Sequence, residues 1–350
     1  MTAPPEQKNW STRPPWLALL GACLVVIAMA SSAVLGWIIG PSLLHPANLN
    51  PIRISRTAEM LRRTGAIKQD FAVRAPDGTI LRGWIIKPPH PNGDWILLFH
   101  GISDNRTGTL GPAQFLLGRG YSLVMMDLRA QGQSGGSMVT YGWKEKYDTI
   151  SITNALYSTE NVRRLGALGV SLGAAVALQS AAVDSRIEAV VAEDPFASLR
   201  EVSYDYAGLH ISPLLGETIF RPATIAALYR LGKVGGFSPD DVSPEKAVAA
   251  RAFPILLICG TRDRTVPCRH ARMIYRAARG PKQLWVVNRA GHAAAFGTAP
   301  VEYQQRVIRF FEQSFSEPKT RTTGRTIPAR FSFQPSAKIS TAGRVKAALE

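Results

Sequence analysis

The pentapeptide Gly169-Val170-Ser171-Leu172-Gly173 holds one serine between two glycines. It follows a strand-like run, Arg163 to Val170, and opens a run of small helical residues, Ala174 to Leu178. A strand, a G-x-S-x-G turn and a helix form a nucleophile elbow, in which a tight strained turn lifts the serine hydroxyl clear of the sheet edge. Without those flanks the same letters read as a plain glycine turn. A serine hydroxyl is a poor nucleophile at neutral pH. It needs a base to take its proton and an acid to orient that base. The chain has six histidines, and His292 follows a strand-like run, Lys282 to Val287, through the turn Asn288 to Gly291. A histidine in such a loop reaches over a sheet edge. Asp263 closes a buried-strand pattern, Pro254 to Cys259, in the segment Gly260 to Pro267. Ser171, Asp263 and His292 lie 92 and 29 residues apart in chain order, and the second interval has room for one helix and one strand. Glu193 and Asp194 end another strand, Ile187 to Ala192, and are a second acid candidate. Asp263 is preferred, with capping of the next segment as the plain role for the Glu193-Asp194 pair.

Elements must hold these residues at one edge. Lys68 to Ala75 and Ile80 to Pro88 alternate like an antiparallel pair about the turn Pro76-Asp77-Gly78. Trp95 to Phe99 and Leu123 to Met126 are short apolar runs of the kind buried parallel strands show. Helical stretches separate them, which predicts an α/β fold with a mostly parallel sheet covered on both faces. About 250 residues of such pattern suffice for one large core.

From about Gln69 to Phe315 the chain resembles the α/β-hydrolase superfamily. It is most similar to the serine-aminopeptidase-like and membrane-anchored α/β-hydrolase-domain proteins. The motifs are Phe99-His100-Gly101-Ile102, the run Asp127 to Gly135, Gly142 with Glu145 and Asp148, the elbow, Gly260 to Pro267, and Gly291-His292. Relatives carry glycine and a histidine or other polar residue at the places of Ala130 and Gln131. The resemblance implies an eight-stranded sheet with a small helical cap, and Ser171, Asp263 and His292 as a catalytic triad. It implies an oxyanion hole from the N–H groups of Ile102 and Leu172. It gives His100 the part of a loop organiser, and Asp127, Arg129 and Ser134 a structural part in the loop after the fourth strand. Glu145 and Asp148 read as helix-start residues that favour the helix dipole.

Residues 198–250 break the alternation where the superfamily inserts its cap. The apolar pieces are Leu209-His210-Ile211, Pro213 to Leu215, and Ile225 to Leu231. Lys233 to Gly236 and Ser238-Pro239 read as hinges or turns. Such a cap roofs the serine and shapes the acyl pocket.

Trp16 to Gly40 is 25 residues without a charge. As a helix it measures roughly 37 Å, enough to cross a bilayer with tilt. Trp16 and Trp37 sit near its ends, where aromatic anchors belong. The rival reading is a signal peptide cleaved at Ala28-Met29-Ala30. The anchor is preferred because the apolar run continues ten residues past that site. Leu20-Gly21-Ala22-Cys23 resembles a lipoprotein box, but the long apolar run after Cys23 argues against it. Lys8 and Arg13 on one side balance Arg53 and Arg56 on the other, so loop charge sets no orientation. The domain reading is therefore a leader to residue 15, a span over 16–40, a linker over 41–67, a hydrolase domain over 68–315 and a basic tail over 316–350.

The net charge is +16. The tail carries seven basic and two acidic residues, is rich in Thr, Ser and Pro, and reads as disordered. Excess positive charge suits anionic membrane lipid. No nucleic-acid module accompanies it, so no nucleic-acid partner is expected. With no phosphate loop and no Cys/His cluster, no cofactor and no metal are expected. Three cysteines, one in the span and one in a strand, are expected to build no disulfide framework. The expected function is a membrane-anchored serine hydrolase acting on a small-molecule or lipid-like acyl substrate, with esters or thioesters first. The alternatives are a serine-aminopeptidase-type peptidase and a catalytically silent membrane-bound interaction protein on the same fold. A dehalogenase or epoxide hydrolase is disfavoured, because serine holds the elbow.

Overall fold

Eight strands form one sheet in the order β1-β2-β4-β3-β5-β6-β7-β8. The strands are β1 Ile67–Arg74, β2 Ile80–Lys87, β3 Asp94–Phe99, β4 Ser122–Met126, β5 Arg164–Val170, β6 Ile187–Glu193, β7 Ile255–Gly260 and β8 Lys282–Val287. The chain is seen here in a computed structural model that describes residues 15–48, 50–210 and 218–316. The basic leader, the cap pieces at 211–215 and the tail lie outside those residues, apart from Pro15 and Ser316.

β1 pairs with β2 and β2 with β4 antiparallel, and every later pairing is parallel. This is the α/β-hydrolase fold. β3, β4 and β7 are buried along their whole length, as expected of strands covered on both faces. Alternate residues of one strand enter opposite layers. Leu97 and Phe99 join the layer of α5 (Leu172–Val183), while Ile96 and Leu98 join that of α11 (Pro300–Ser316). α5 is Ala-rich and almost wholly buried, so it lies close against β5 and β6. α11 presents Tyr303, Val307, Phe310 and Phe311 to the other layer, one apolar side of an amphipathic helix.

The other helices before the cap are α1 Pro15–Ile39, α2 Ile54–Thr64, α3 Leu110–Leu117 and α4 Glu145–Thr159. A 3₁₀ turn, Gly40–Leu44, continues α1 and drives Leu44 fully into the hydrolase core. The segment between the span and β1 thus contains α2 and a core residue. The cap holds α6 Leu199–His210, α7 Arg221–Gly235 and α8 Pro244–Ala250. Residues 233–235, expected as a hinge, are instead the last turn of α7, which ends on Gly236 at φ 70°. A glycine at a left-handed position is an ordinary helix stop, which is why the pair resembles a hinge in sequence. Beyond β7 come α9 Arg269–Ala277 and α10 Ala295–Thr298. α1 is the one described helix long and apolar enough to cross a membrane.

Candidate active site

Ser171 sits between β5 and α5 at φ 56° and ψ −118°. A non-glycine residue there is strained by about 1–3 kcal/mol and persists only where its surroundings impose it. The surroundings are close backbone approaches. A Cβ on Gly169 would lie 2.2 Å from the Gly173 carbonyl oxygen, and one on Gly173 would lie 2.3 Å from that of Phe99. Only glycine fits either place. The Ser171 N–H donates to the Glu193 carbonyl at 2.8 Å, so the end of β6 holds the turn from beside it.

The loop after β8 brings His292 to this serine. Ser171 Oγ lies 2.8 Å from His292 Nε2, and His292 Nδ1 lies 2.7 Å from Asp263 Oδ2. A carboxylate only accepts, so Nδ1 carries the proton and Nε2 is left to accept from the hydroxyl. Asp263 is fixed by its own turn, where Oδ1 accepts from the N–H groups of Thr265 and Val266 at 2.7 and 2.9 Å. The three residues singled out by type and order are therefore in one hydrogen-bonded chain. Burial pulls the His292 pKa down, but the hydrogen bond and charge of Asp263, with Asp194 and Glu193 behind it, outweigh burial and leave it raised.

Asp194 lies one shell behind. Its Oδ2 is 4.0 Å from His292 Nδ1 and accepts from the Ala293 N–H at 2.8 Å. Its Oδ1 accepts from the Gly260 N–H at 3.2 Å. Burial, then the charges of Glu193 and Asp263, push Asp194 up to about 7. Glu193 accepts from the Ala295 N–H and from the Tyr303 hydroxyl, and burial pushes its pKa up as well. The second acid candidates are thus placed behind the histidine loop, with Asp263 in direct contact with the imidazole.

Leu172 is the first residue of α5, where an N–H has no intrahelical acceptor. Ile102 follows Gly101, and a Cβ at Gly101 would come 3.6 Å from Ser171 Cβ, so this loop lies beside the serine. His100 is fully buried, its Nδ1 2.7 Å from the Gly101 carbonyl and its Nε2 accepting from the Leu128 N–H at 3.0 Å. Burial lowers its pKa, and both ring nitrogens are engaged in shaping the loop. Gln131 accepts from the Ser103 N–H at 2.6 Å, tying that loop to the one after β4. Ala130 stands at φ 57°, a left-handed position that glycine adopts more easily.

The structural residues have definite partners. Asp127 takes the Arg106 guanidinium and the Gln133 N–H, and Ser134 Oγ donates to the Asp127 carbonyl. Glu145 accepts from the Thr140 and Gly142 N–H groups ahead of α4. Asp148 stands in the first turn of α4, as expected of a residue serving the helix dipole, and is also half of a buried two-bonded pair with Arg129. Burial pushes it up to about 6 even so. His270 is buried on α9 and joins it to the cap helix α6 through Asp205 at 3.0 Å.

Cys259, the penultimate residue of β7, and Cys268 are bridged, with Cα atoms 5.3 Å apart. The expectation of no disulfide is corrected here. The Asp263 loop doubles back and returns the chain beside the end of β7, a closure invisible in residue spacing. Asp194, Asp263 and His292 offer ligand atoms within 4.8 Å of one another. Each carboxylate oxygen of the two aspartates already accepts a backbone N–H or faces the imidazole, the arrangement of an acid–histidine pair.

The curated protein YqkD of Bacillus subtilis (strain 168) is 27% identical over 249 residues, covering 70% of this chain and 79% of the relative. The Alpha/beta hydrolase domain-containing protein WAV2 of Arabidopsis thaliana is 27% identical over 274 residues, 75% of this chain and 84% of that one. Among solved structures, Pyrococcus furiosus Esterase Pf2001 superposes with a TM-score of 0.62 at 23% identity, over 77% of this chain and 98% of that chain. Pyrococcus horikoshii acylaminoacyl peptidase does so with a TM-score of 0.55 at 18% identity, over 73% and 43%. At such identities these structures share the fold. The family model described as X-Pro dipeptidyl-peptidase (S15 family) matches residues 50–226, a stretch that includes Ser171 and ends before Asp263. With half of its length matched by that model, the chain belongs to the S15 family of α/β-hydrolase-fold serine hydrolases.

Proposed function

We propose that the chain is a membrane-anchored serine hydrolase in which Ser171 is the nucleophile, His292 the base and Asp263 the acid. The observation that carries this reading is the unbroken chain from Ser171 Oγ through the imidazole to Asp263. Ser171 Oγ attacks the acyl carbon as His292 Nε2 takes its proton. The N–H groups of Leu172 and Ile102 receive the negative charge that forms on the carbonyl oxygen. The imidazolium, held by Asp263, gives its proton to the leaving group. Water, activated by the same imidazole, then releases the acyl group and restores Ser171.

The substrate class is an amide or peptide in the first instance. The family match supports this peptidase alternative over the ester reading that the sequence alone favoured. Esters and thioesters remain the second reading, supported by the apolar helix α1 packed beside the cap. A fluorophosphonate probe tests the nucleophile. Labelling is expected in the native chain and absent in Ser171→Ala, and unchanged labelling of that variant would overturn the assignment. A panel of aminoacyl and dipeptidyl amides beside acyl esters of graded length tests the substrate class, with higher kcat/KM on the amides expected.

A further inference from the structure

The cap helix α7 runs alongside α1, and the seam between them is built from small residues. Ser32 and Gly36 of α1, and Gly40 at the start of the 3₁₀ turn that continues it, recur every fourth position and are buried. Ser32 Oγ donates to the Ile219 carbonyl at 2.7 Å. A Cβ on Gly36 would lie 1.9 Å from the Ala223 carbonyl oxygen, and one on Gly40 would lie 2.5 Å from that of Ala227. Small residues at four-residue spacing on two helices are how helices approach closely within a membrane. Trp37 stacks on Tyr229 with ring centroids 5.9 Å apart, and the Arg230 guanidinium lies 4.9 Å from the Trp37 ring centre. The contacts advance together along both helices, so the two run parallel and the start of α7 lies toward the free end of α1.

Length decides how deep that start lies. Trp16 to Ser31 precede the seam and span about 24 Å at 1.5 Å per residue. The hydrocarbon core of a bilayer is about 30 Å thick and takes about 20 residues. The free part of α1 is therefore too short to cross alone. The residues of the seam near Ser32 to Leu35 complete the crossing, and their cap partners lie at the same depth.

The outward face of α7 suits that depth. Arg221, Ile225, Tyr229 and Lys233 are exposed at four-residue spacing, apolar in the middle and basic at both ends. α7 carries three basic residues and no acidic one. Beside it, Val25 and Met29 of α1 and Ile219, Pro222 and Ile225 of the cap line an open cleft of about 390 Å³ with Arg221 at its side. Because α7 stands beside the spanning helix, only its first turns dip into the interface, with Ile225 toward the acyl boundary and the Arg221 cation within reach of lipid phosphates.

We propose that residues 218–225 of the cap are immersed in the lipid interface of the same bilayer that α1 crosses, with phospholipid as the occupant of the α1–cap cleft. This rests on the anchor reading above. The full-length chain is reconstituted in vesicles of phosphatidylcholine and phosphatidylglycerol, and three chains are each labelled with an environment-sensitive fluorophore. The native Cys23 reports on α1. Ile225→Cys in a Cys23→Ser background reports on the cap. Val301→Cys in the same background, at an exposed position of α11, is the control. Nitroxide-bearing lipids are then titrated in. The label at 225 is expected to emit to the blue and to lose most of its intensity with shallow nitroxides, the label at 301 to lose none. Quenching at Cys23 without quenching at 225 would overturn the cap inference while leaving the anchor intact. Absence of quenching at Cys23 would remove the anchor and the inference with it. A blue shift at 225 that lipid nitroxides leave alone, and that grows with protein density, would assign the face to a second copy and overturn the proposal.

Discussion

The Asp194 carboxylate holds the Ala293 N–H at 2.8 Å, one residue beyond the histidine that faces Ser171. Its other oxygen holds Gly260, at the end of the strand that leads to Asp263. One buried side chain therefore joins the loops that carry His292 and Asp263. It acts through them as a positioning residue, whereas Asp263 touches the imidazole.

This separates two substitutions. Asp263→Asn is expected to lower kcat on the order of 10⁴-fold, since an amide no longer holds the imidazole in the required tautomer. Asp194→Asn turns one of its two acceptor atoms into a donor and loses one loop bond, a cost of about 1–3 kcal/mol, so kcat is expected to fall between roughly fivefold and 150-fold. Steady-state rates of the two variants check this, and the reverse ranking would move the acid to the end of β6.

His292 works as a base only when neutral. Its pKa lies above the ordinary value, so kcat/KM is expected to rise with pH through a midpoint above about 6.5. In Asp263→Asn the largest raising influence is gone while burial remains, so the midpoint of the residual activity should move down. Asp194→Asn should move it the same way by less, because its charge acts from farther off. A pH–rate profile of each variant measures this, and a midpoint unmoved by Asp263→Asn would exclude the coupling.

Gly173→Ala tests the elbow. The added methyl carbon meets the Phe99 carbonyl oxygen, a rigid backbone atom of β3. Overpacking of this kind costs about 1–3 kcal/mol. The expected outcome is a lower melting temperature together with loss of fluorophosphonate labelling. An active variant with native stability would mean that the turn can open.

The full-length chain is expected to resist extraction by high salt and alkaline carbonate and to dissolve in detergent, because hydrocarbon burial is insensitive to ionic strength. Recovery of a native chain that begins at Ser31 would defeat the anchor. A chain shortened to Leu49 would lose Leu44 from the hydrolase core as well as α1 from the cap, so it is expected to be less stable as well as released from membranes.

Much of this architecture was legible in residue order. The short apolar runs at Trp95 and Leu123 became buried strands because their pattern has one stable use, a sheet covered on both faces. Ser171, Asp263 and His292 each follow a strand, and parallel strands deliver their C-terminal ends to one edge. What stayed hidden depends on loops folding back over long separations. Asp148 pairs with Arg129 19 residues away, and Cys268 returns to Cys259 around the Asp263 turn. Asp194 reads in sequence as a rival acid or a cap, and its tie to the histidine loop depends on a segment 99 residues downstream settling on it. The packing of the cap on α1 left only a faint trace, small residues at every fourth place, in a segment whose hydropathy has its own explanation.

The close packing at Gly36 and Gly40 also bears on how the hydrolase domain would sit on a membrane. A domain hung from a membrane helix by a flexible tether tumbles freely and presents its mouth in every direction. Here α1 is keyed against Ala223 and Ala227, and the turn that follows it buries Leu44 in the domain core. With α1 in a bilayer, helix and domain would turn as one body. In a bilayer the serine would be held at one height and one bearing to the membrane plane, and tilting the span would tilt the catalytic edge with it.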